Sequence, residues 1–347
     1  MRDGLPVLTN PSITLTDGGN GVGVLTLHAP RCVLDKGAID GLQEGLQRAQ
    51  EQFVALVLWG GRGPFCVGVA LDDILGPKGL DAARFDDWAR RLQELATAVR
   101  RSGLAVIAAV HGAALGPGFE LVMAADGAVV TLESQLGLGG VVGLPPMAGG
   151  AVELARRAAQ SARRCGDHAV LAAHFATLAG RFEVCQSAHE ARTLGLLRER
   201  DNVVIQSRAL LTVAKVQALA LADSGYRPPP VARIAVPGGR VMEVLTTGSR
   251  GAGVPREPVG INDWFSGHLS RQVAEVLGGG CEVEGLVDEV ALLRLEREVG
   301  AAFLASAPPP PVLYTLRHRP GGFGRGVPLK DIPWLQRGVA GSDDSLT

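Results

Sequence analysis

The apolar positions of this chain follow two rhythms, and the place where one gives way to the other organises the rest. From Leu104 to Val110 the run LAVIAAV is unbroken, too short to cross a bilayer and rich in Val and Ile, which predicts a buried strand. His111-Gly112 begins the exit from the sheet, Gly116-Pro117-Gly118 supplies a tight turn, and a short amphipathic segment predicts a helix from about Pro117 to Ala125. Pro117 suits the first helical position, because its missing N–H would have no intrahelical partner there and its φ is already near helical. A helix start presents free N–H groups and the positive end of the dipole, so an oxyanion or phosphate is favoured just outside it. Glu120 stands one turn inside.

Upstream, SITLTDGGNG followed by Val22 to His28 predicts a first hairpin. Ile39, Leu42, Leu46, Ala49 and Phe53 share one helical stripe, Val54 to Trp59 reads as a buried strand, and Phe85, Trp88, Leu92, Leu95 and Val99 make a second stripe. Ala128 to Thr131 is a further short strand, and after Gly150 the pattern turns helical. Leu210, Val213, Ala214, Ala218 and Leu221 define a helix ended by Gly225. Residues 227–240, RPPPVARIAVPGGR, are Pro-rich and predict an extended linker. INDWFSGHLSRQVAEVLGGG and VDEVALLRLEREVGAAFLAS predict two helical segments, and the stretch from Pro308 is irregular. The expected division is 1–226, 227–305 and 306–347. Periodicity alone supports the class α/β.

Composition narrows the function. At 347 residues the chain suits one large domain with an appendage, and its many Ala and Gly residues imply close backbone packing. A formal charge of −1, without a basic block or zinc-finger spacing, argues against nucleic acid as a partner. The five cysteines, Cys32, Cys66, Cys165, Cys185 and Cys281, are scattered and without a C-x-x-C pair, which fits a reducing cytoplasm. No leader-like or membrane-length apolar run is present, so a cytoplasmic protein without a membrane partner is expected. The histidines show no ligand spacing, so no metal is expected.

Three stretches carry a family resemblance. AAVHGAALGPGFELVMAAD (108–126) resembles the central signature of the crotonase, or enoyl-CoA hydratase/isomerase, superfamily. WGGRGPFCVGVALDDI (59–74) is similar to its first signature, with Phe65, Gly68 and Leu71 in place, and PMAGG ending at Gly150 follows in the right order. The resemblance implies a spiral of ββα units with a C-terminal helical extension, an acyl-CoA thioester as ligand with no other cofactor, and C-terminal helices that pack between subunits as trimers or hexamers. SAHEARTLGLL, DSGYRPPP and the two last helical segments also resemble the C-terminal portion of bacterial fused 3-hydroxyacyl-CoA dehydrogenase/enoyl-CoA hydratase proteins. By that likeness the chain is the hydratase-like portion standing alone, with a dehydrogenase partner subunit as a candidate. It covers about residues 12–300.

The chemistry of the family requires two peptide N–H groups aimed at the thioester oxygen, where negative charge develops, and hydratases add two carboxylates for the acid and base steps. By resemblance, one N–H belongs to Val69 and the other to Pro117, which has none to give. Gly118 is the nearest replacement donor. The first carboxylate carries over to Glu120, as base or as a satisfied structural partner. The second has no counterpart: LGLGGVVGLPPMAGG is one residue short and has Gly139 or Gly140 at that place. The family's Asp after the oxyanion residue is Ala70, and Lys positions near the CoA phosphates are Gly63 and Asp72. Val67 and Gly68 are candidate CoA contacts, and Arg31 and Arg62 are candidate phosphate contacts or solvated surface arginines. Cys66 is a reactive thiol or a buried inert one, and Asp126 matches a structural position. Two functions follow from these residues. One is a weak or non-catalytic homologue serving as an acyl-CoA-binding or assembly subunit. The other is an active lyase, isomerase or thioester hydrolase using Glu120 and a single or rearranged oxyanion hole.

Overall fold

The computed structural model describes residues 6–28, 32–70, 73–76, 79–139, 144–164, 166–251 and 261–306. Strands β1 (Pro6–Thr9), β2 (Ile13–Asp17) and β3 (Val22–Leu27) form an antiparallel meander. The β2–β3 turn is closed by the Asp17 carboxylate, which accepts from Gly19 N–H at 2.8 Å, and Gly19, Asn20 and Gly21 take the positive φ that this turn requires. Helix α1 (Lys36–Gln52) starts on Asp35, whose side chain accepts from Ala38 N–H, and buries the expected stripe of Ile39, Leu42, Leu46 and Ala49.

From here the chain repeats one unit. A strand of the main sheet is followed by a short strand of a second layer and then by a helix. Strand β4 (Ala55–Trp59) leads through residues 66–69, and past the small hairpin of β5 (Leu75–Gly76) and β6 (Gly79–Leu80), to α2 (Ala82–Arg100). Strand β7 (Ala105–Val110) leads through β8 (Ala113–Leu115) to α3 (Pro117–Ala124), and β9 (Gly127–Thr131) through β10 (Gln135–Gly137) to α4 (Gly150–Ala162). This is the expected ββα spiral. After α5 (His168–Gly180) and α6 (Ala188–Thr193), β11 (Asn202–Val204) completes a seven-stranded sheet in the order β1-β2-β3-β4-β7-β9-β11, parallel from β3 onward.

The unbroken apolar run at 104–110 has a direct cause. Side chains of a strand alternate between faces, and here both faces are covered. Ala105, Ile107 and Ala109 pack under α7 (Leu210–Asp223) with Leu210, Ala214 and Ala218, while Val106, Ala108 and Val110 belong to the larger core beneath α1, α2 and α3. Each fully buried Val or Ile of this strand contributes about 1.5–3 kcal/mol.

The C-terminal region differs from the sequence expectation in one respect. Within the Pro-rich stretch expected as a linker, Arg233–Val236 forms β12, which pairs antiparallel with β13 (Gly285–Asp288), and α8 (Arg240–Gly251) begins directly afterwards. Ile234 and Val236 alternate into the core, a two-position signal that the surrounding prolines obscure. Strand β1, four residues long, likewise carries no clear alternation in the sequence. The two last helical segments are present as α9 (Ile261–Gly278) and α10 (Glu289–Ser306). Helix α10 lies on α2 and α4 along a buried stripe of Glu289, Leu292, Glu296, Val299 and Phe303. Residues 307–347, which include nearly all of the expected tail, lie outside the described residues.

Candidate functional site

The second layer brings the two signatures together. Leu34 pairs with Val69, Cys66 with Ala114, and β8 with β10, all parallel. Leu115 N–H donates to Cys66 C=O at 2.8 Å, and a Cβ on Gly118 would stand 2.3 Å from that same oxygen. Only glycine therefore lets the start of α3 close on residues 66–69, which is the physical meaning of the third residue in Gly116-Pro117-Gly118.

Val69 is 4% exposed. Gly68 C=O accepts from Leu34 N–H and Ala70 N–H donates to Leu34 C=O, both at 2.9 Å, so alternation turns the Val69 N–H to the opposite edge, towards β8 and the start of α3. Among the described residues it meets no acceptor. Pro117 occupies the first position of α3 and adds no N–H to this place. Gly118 supplies the next N–H of the helix start, likewise without an acceptor among the described residues. Val67 donates to Cys32 C=O at 2.8 Å and its side chain packs with Ala113 and Leu115, while Gly68 serves Leu34. Arg62 and Gly63 are exposed on the turn, and Arg31, Asp72 and Gly140 lie outside the described residues. The Cys66 thiol is fully buried and pushed up to about 12 by that burial, which makes it the inert alternative.

Glu120 points from α3 to the start of α4. Its Oε2 accepts from Ala148 and Gly150 N–H, both at 2.7 Å, and Met147 N–H is shared between its two oxygens at 3.2 Å. The residue is 2% exposed. The cavity it lines, with Arg100, Glu153, Arg156 and Glu289, measures about 20 Å³, room for a single water. Burial, and then the nearby Glu296, push its carboxyl up to about 8, against the pull of the three N–H groups.

Glu296 is the carboxylate that sequence reasoning missed. It comes from α10, is 2% exposed, and accepts from Gly149 N–H at 2.7 Å, Ala151 N–H at 2.8 Å and the Gln93 side chain at 3.0 Å. Burial raises its pKa as well. One signal was available: a Glu on an otherwise apolar helical stripe. At the place where the family's second carboxylate was sought, a Cβ on Gly139 would stand 2.5 Å from Phe182 Cα, so that position has no room for a side chain.

Further salt bridges fix the helix that carries this start. Glu153 of α4 accepts from Arg100 at 2.8 Å, Arg157 at 3.0 Å and Arg156 at 3.2 Å. Burial alone would raise its pKa, but the three guanidiniums overcome this and hold it at about 2. Asp126 accepts from Val106 N–H at 2.8 Å and Tyr226 OH at 3.0 Å, the structural role expected of it. Among the described residues no three His, Cys, Asp or Glu side chains are grouped to hold a metal, and no helix is long and apolar enough to cross a membrane.

Comparison with known proteins agrees with this architecture. Residues 17–199 match the enoyl-CoA hydratase/isomerase family, just over half of the chain. A Bacillus subtilis (strain 168) protein named "Probable 3-hydroxyacyl-CoA dehydrogenase" is 31% identical over 305 residues, which are 86% of this chain but 37% of that relative, so the chain spans little more than a third of its length. "Probable enoyl-CoA hydratase EchA17" of Mycobacterium tuberculosis (strain ATCC 25618 / H37Rv) is 28% identical over 257 residues, covering 69% of this chain and 92% of that one. The enoyl-CoA hydratase structure from Thermoplasma volcanium GSS1 superposes with a TM-score of 0.50 at 16% identity, over 89% of this chain and 97% of the other. That from Bacillus halodurans gives 0.50 at 16% identity, over 85% and 100%. These two likenesses are likenesses of fold. On the sequence match and the ββα spiral together, this chain belongs to the enoyl-CoA hydratase/isomerase family.

Proposed function

We propose that this chain is an acyl-CoA-binding or assembly member of its family in which the hydration machinery has become structural. The observation that carries the reading is Glu120. Its carboxylate is sealed from solvent and engaged by three N–H groups at the start of α4, beside a cavity with room for one water. Pro117 supports the same reading, because losing one oxyanion donor costs about 3 kcal/mol, or roughly a hundred- to a thousandfold in rate. A missing general acid or base removes a further hundred- to ten-thousandfold or so. Among the described residues the Val69 N–H and, one residue past Pro117, the Gly118 N–H are left as contacts for a thioester oxygen. A homo-oligomer is part of this proposal, as is a dehydrogenase-type partner, since the Bacillus subtilis relative bears that name over a longer chain.

A second reading rests on one observation. A carboxyl raised to about 8 by burial and by a neighbouring glutamate is suited to move protons near neutrality, which favours residual isomerase or thioesterase chemistry with Glu120 as base. The experiment is crotonyl-CoA hydration together with calorimetric binding of crotonyl-CoA. The expected result is binding with turnover at least about ten-thousandfold below a complete family member, the low end of the two losses because effects within one site are seldom additive. Turnover within about a hundredfold of ordinary hydratases would sink the proposal. Sedimentation giving a stable monomer at micromolar concentration would remove its oligomeric part.

A further inference from the structure

Two glutamates finish one helix. Between them, Glu120 from α3 and Glu296 from α10 take the N–H groups of five consecutive residues, Met147 to Ala151. Neither is ion-paired to a cation among the described residues, because the neighbouring arginines serve other acids. Arg100, Arg156 and Arg157 hold Glu153, Arg101 and Arg156 hold Glu289, and Arg297 holds Asp86 and Gln93. The charged groups around the pair are thus Arg100 on α2, Glu153 and Arg156 on α4, and Glu289 and Arg297 on α10, while from α9 the titratable His268 stacks on Phe303, its pKa lowered by burial and so opposite in sign to the carboxyl pair. A helix start with its N–H groups can stabilise one negative charge, but two buried like charges without a cation cannot both persist, and such a pair retains one proton.

We propose that α10 is held on α2 and α4 with one proton retained by the buried pair of Glu120 and Glu296, which makes the C-terminal helix a pH-sensitive cover over the Glu120 site. In the docked state Glu120 is pushed up to about 8, first by burial and then by Glu296; detaching α10 removes Glu296 and the Glu289 and Leu293 that close the cavity beside Glu120, which returns the carboxyl towards the ordinary value of 4.5. The contribution of this proton to docking is therefore fully present below about pH 4.5 and is lost as pH rises towards 8. For one linked proton the loss is roughly tenfold per pH unit across that window, and it levels off above it. The inference goes beyond acyl-CoA binding and requires no ligand.

Hydrogen exchange on the full-length chain, corrected for the intrinsic pH dependence of exchange, reads the docking of α10 directly. Protection at Leu292 to Phe303 is expected to fall roughly tenfold per pH unit from about pH 5 to about pH 8 and then to plateau. Glu296→Gln should end the fall at a lower pH, since burial alone then acts on Glu120, and the double variant Glu120→Gln with Glu296→Gln should show no such fall. A flat wild-type profile, or a double variant that titrates like wild type, overturns the proposal. Should the double variant fail to fold, infrared spectroscopy of the wild type decides. A protonated carboxyl stretch at pH 7 that vanishes by about pH 9 supports the retained proton, and its absence at pH 7 overturns it.

Discussion

Replacing Glu153 with Gln tests how α4, the helix whose start both glutamates complete, is fixed in place. The wild-type carboxylate accepts from Arg100, Arg156 and Arg157, and the Arg157 side chain is only 7% exposed. Glu153→Gln keeps the shape but withdraws the negative charge and turns an NH₂ donor towards a guanidinium. Removing one partner of a buried ion pair costs about 3–5 kcal/mol, because the other charge stays behind without compensation. The pH dependence gives an independent figure. A carboxyl held at about 2 rather than 4.5 contributes about 3 kcal/mol that is present above pH 4.5 and lost as pH falls through 2. Urea unfolding of both proteins at pH 7 and pH 3 should therefore show a gap of about 3–4 kcal/mol that narrows by about 2 kcal/mol at the lower pH. A gap under about 1 kcal/mol at pH 7, or one that does not change with pH, would refute the assignment of the charge cluster as the clamp on α4.

Two further variants probe the turn. Pro117→Gly restores an N–H near that of Val69 at a cost of about 1 kcal/mol in stability, and should tighten an enolate-like acyl-CoA analogue by up to about a hundredfold. Unchanged affinity in calorimetry, with the fold intact, would mean that residue 117 does not border the oxyanion position. Gly118→Ala drives a methyl against Cys66 C=O and should lower stability by about 1–3 kcal/mol or more, and a thermal melt matching wild type would show that the α3 start does not need that close approach.

What could be read in the sequence, and what could not, divides by distance along the chain. The strand at 105–110, the turn and α3 are local features, and the helix starts on Pro117 as its chemistry predicts. The stripes of α1 and α2 are equally local. Strand β12 was hidden because four residues between prolines and glycines give too short an alternation, and its partner β13 lies far along the chain. The meeting of Glu120 with Glu296 is also long-range, set by how α10 lies on α2 through Gln93. What the sequence did contain was Glu296 on the stripe of Leu292, Val299 and Phe303, and Glu153 and Arg157 one turn apart on the buried side of α4. A charge at a core position of a helical stripe marks a buried partner without naming it. That the 136–150 segment holds no acid is legible in the sequence, but the crowding of Gly139 by Phe182, which closes that place to a side chain, required the structure.

The central claim is that Glu120 caps a helix and no longer moves a proton in hydration. Turnover of crotonyl-CoA by the wild type and by Glu120→Gln, measured side by side on folded protein, tests this most directly. The account predicts the same residual rate for both, within about twofold. A fall of about a hundredfold or more in the variant, the size expected for loss of a general base, would contradict it.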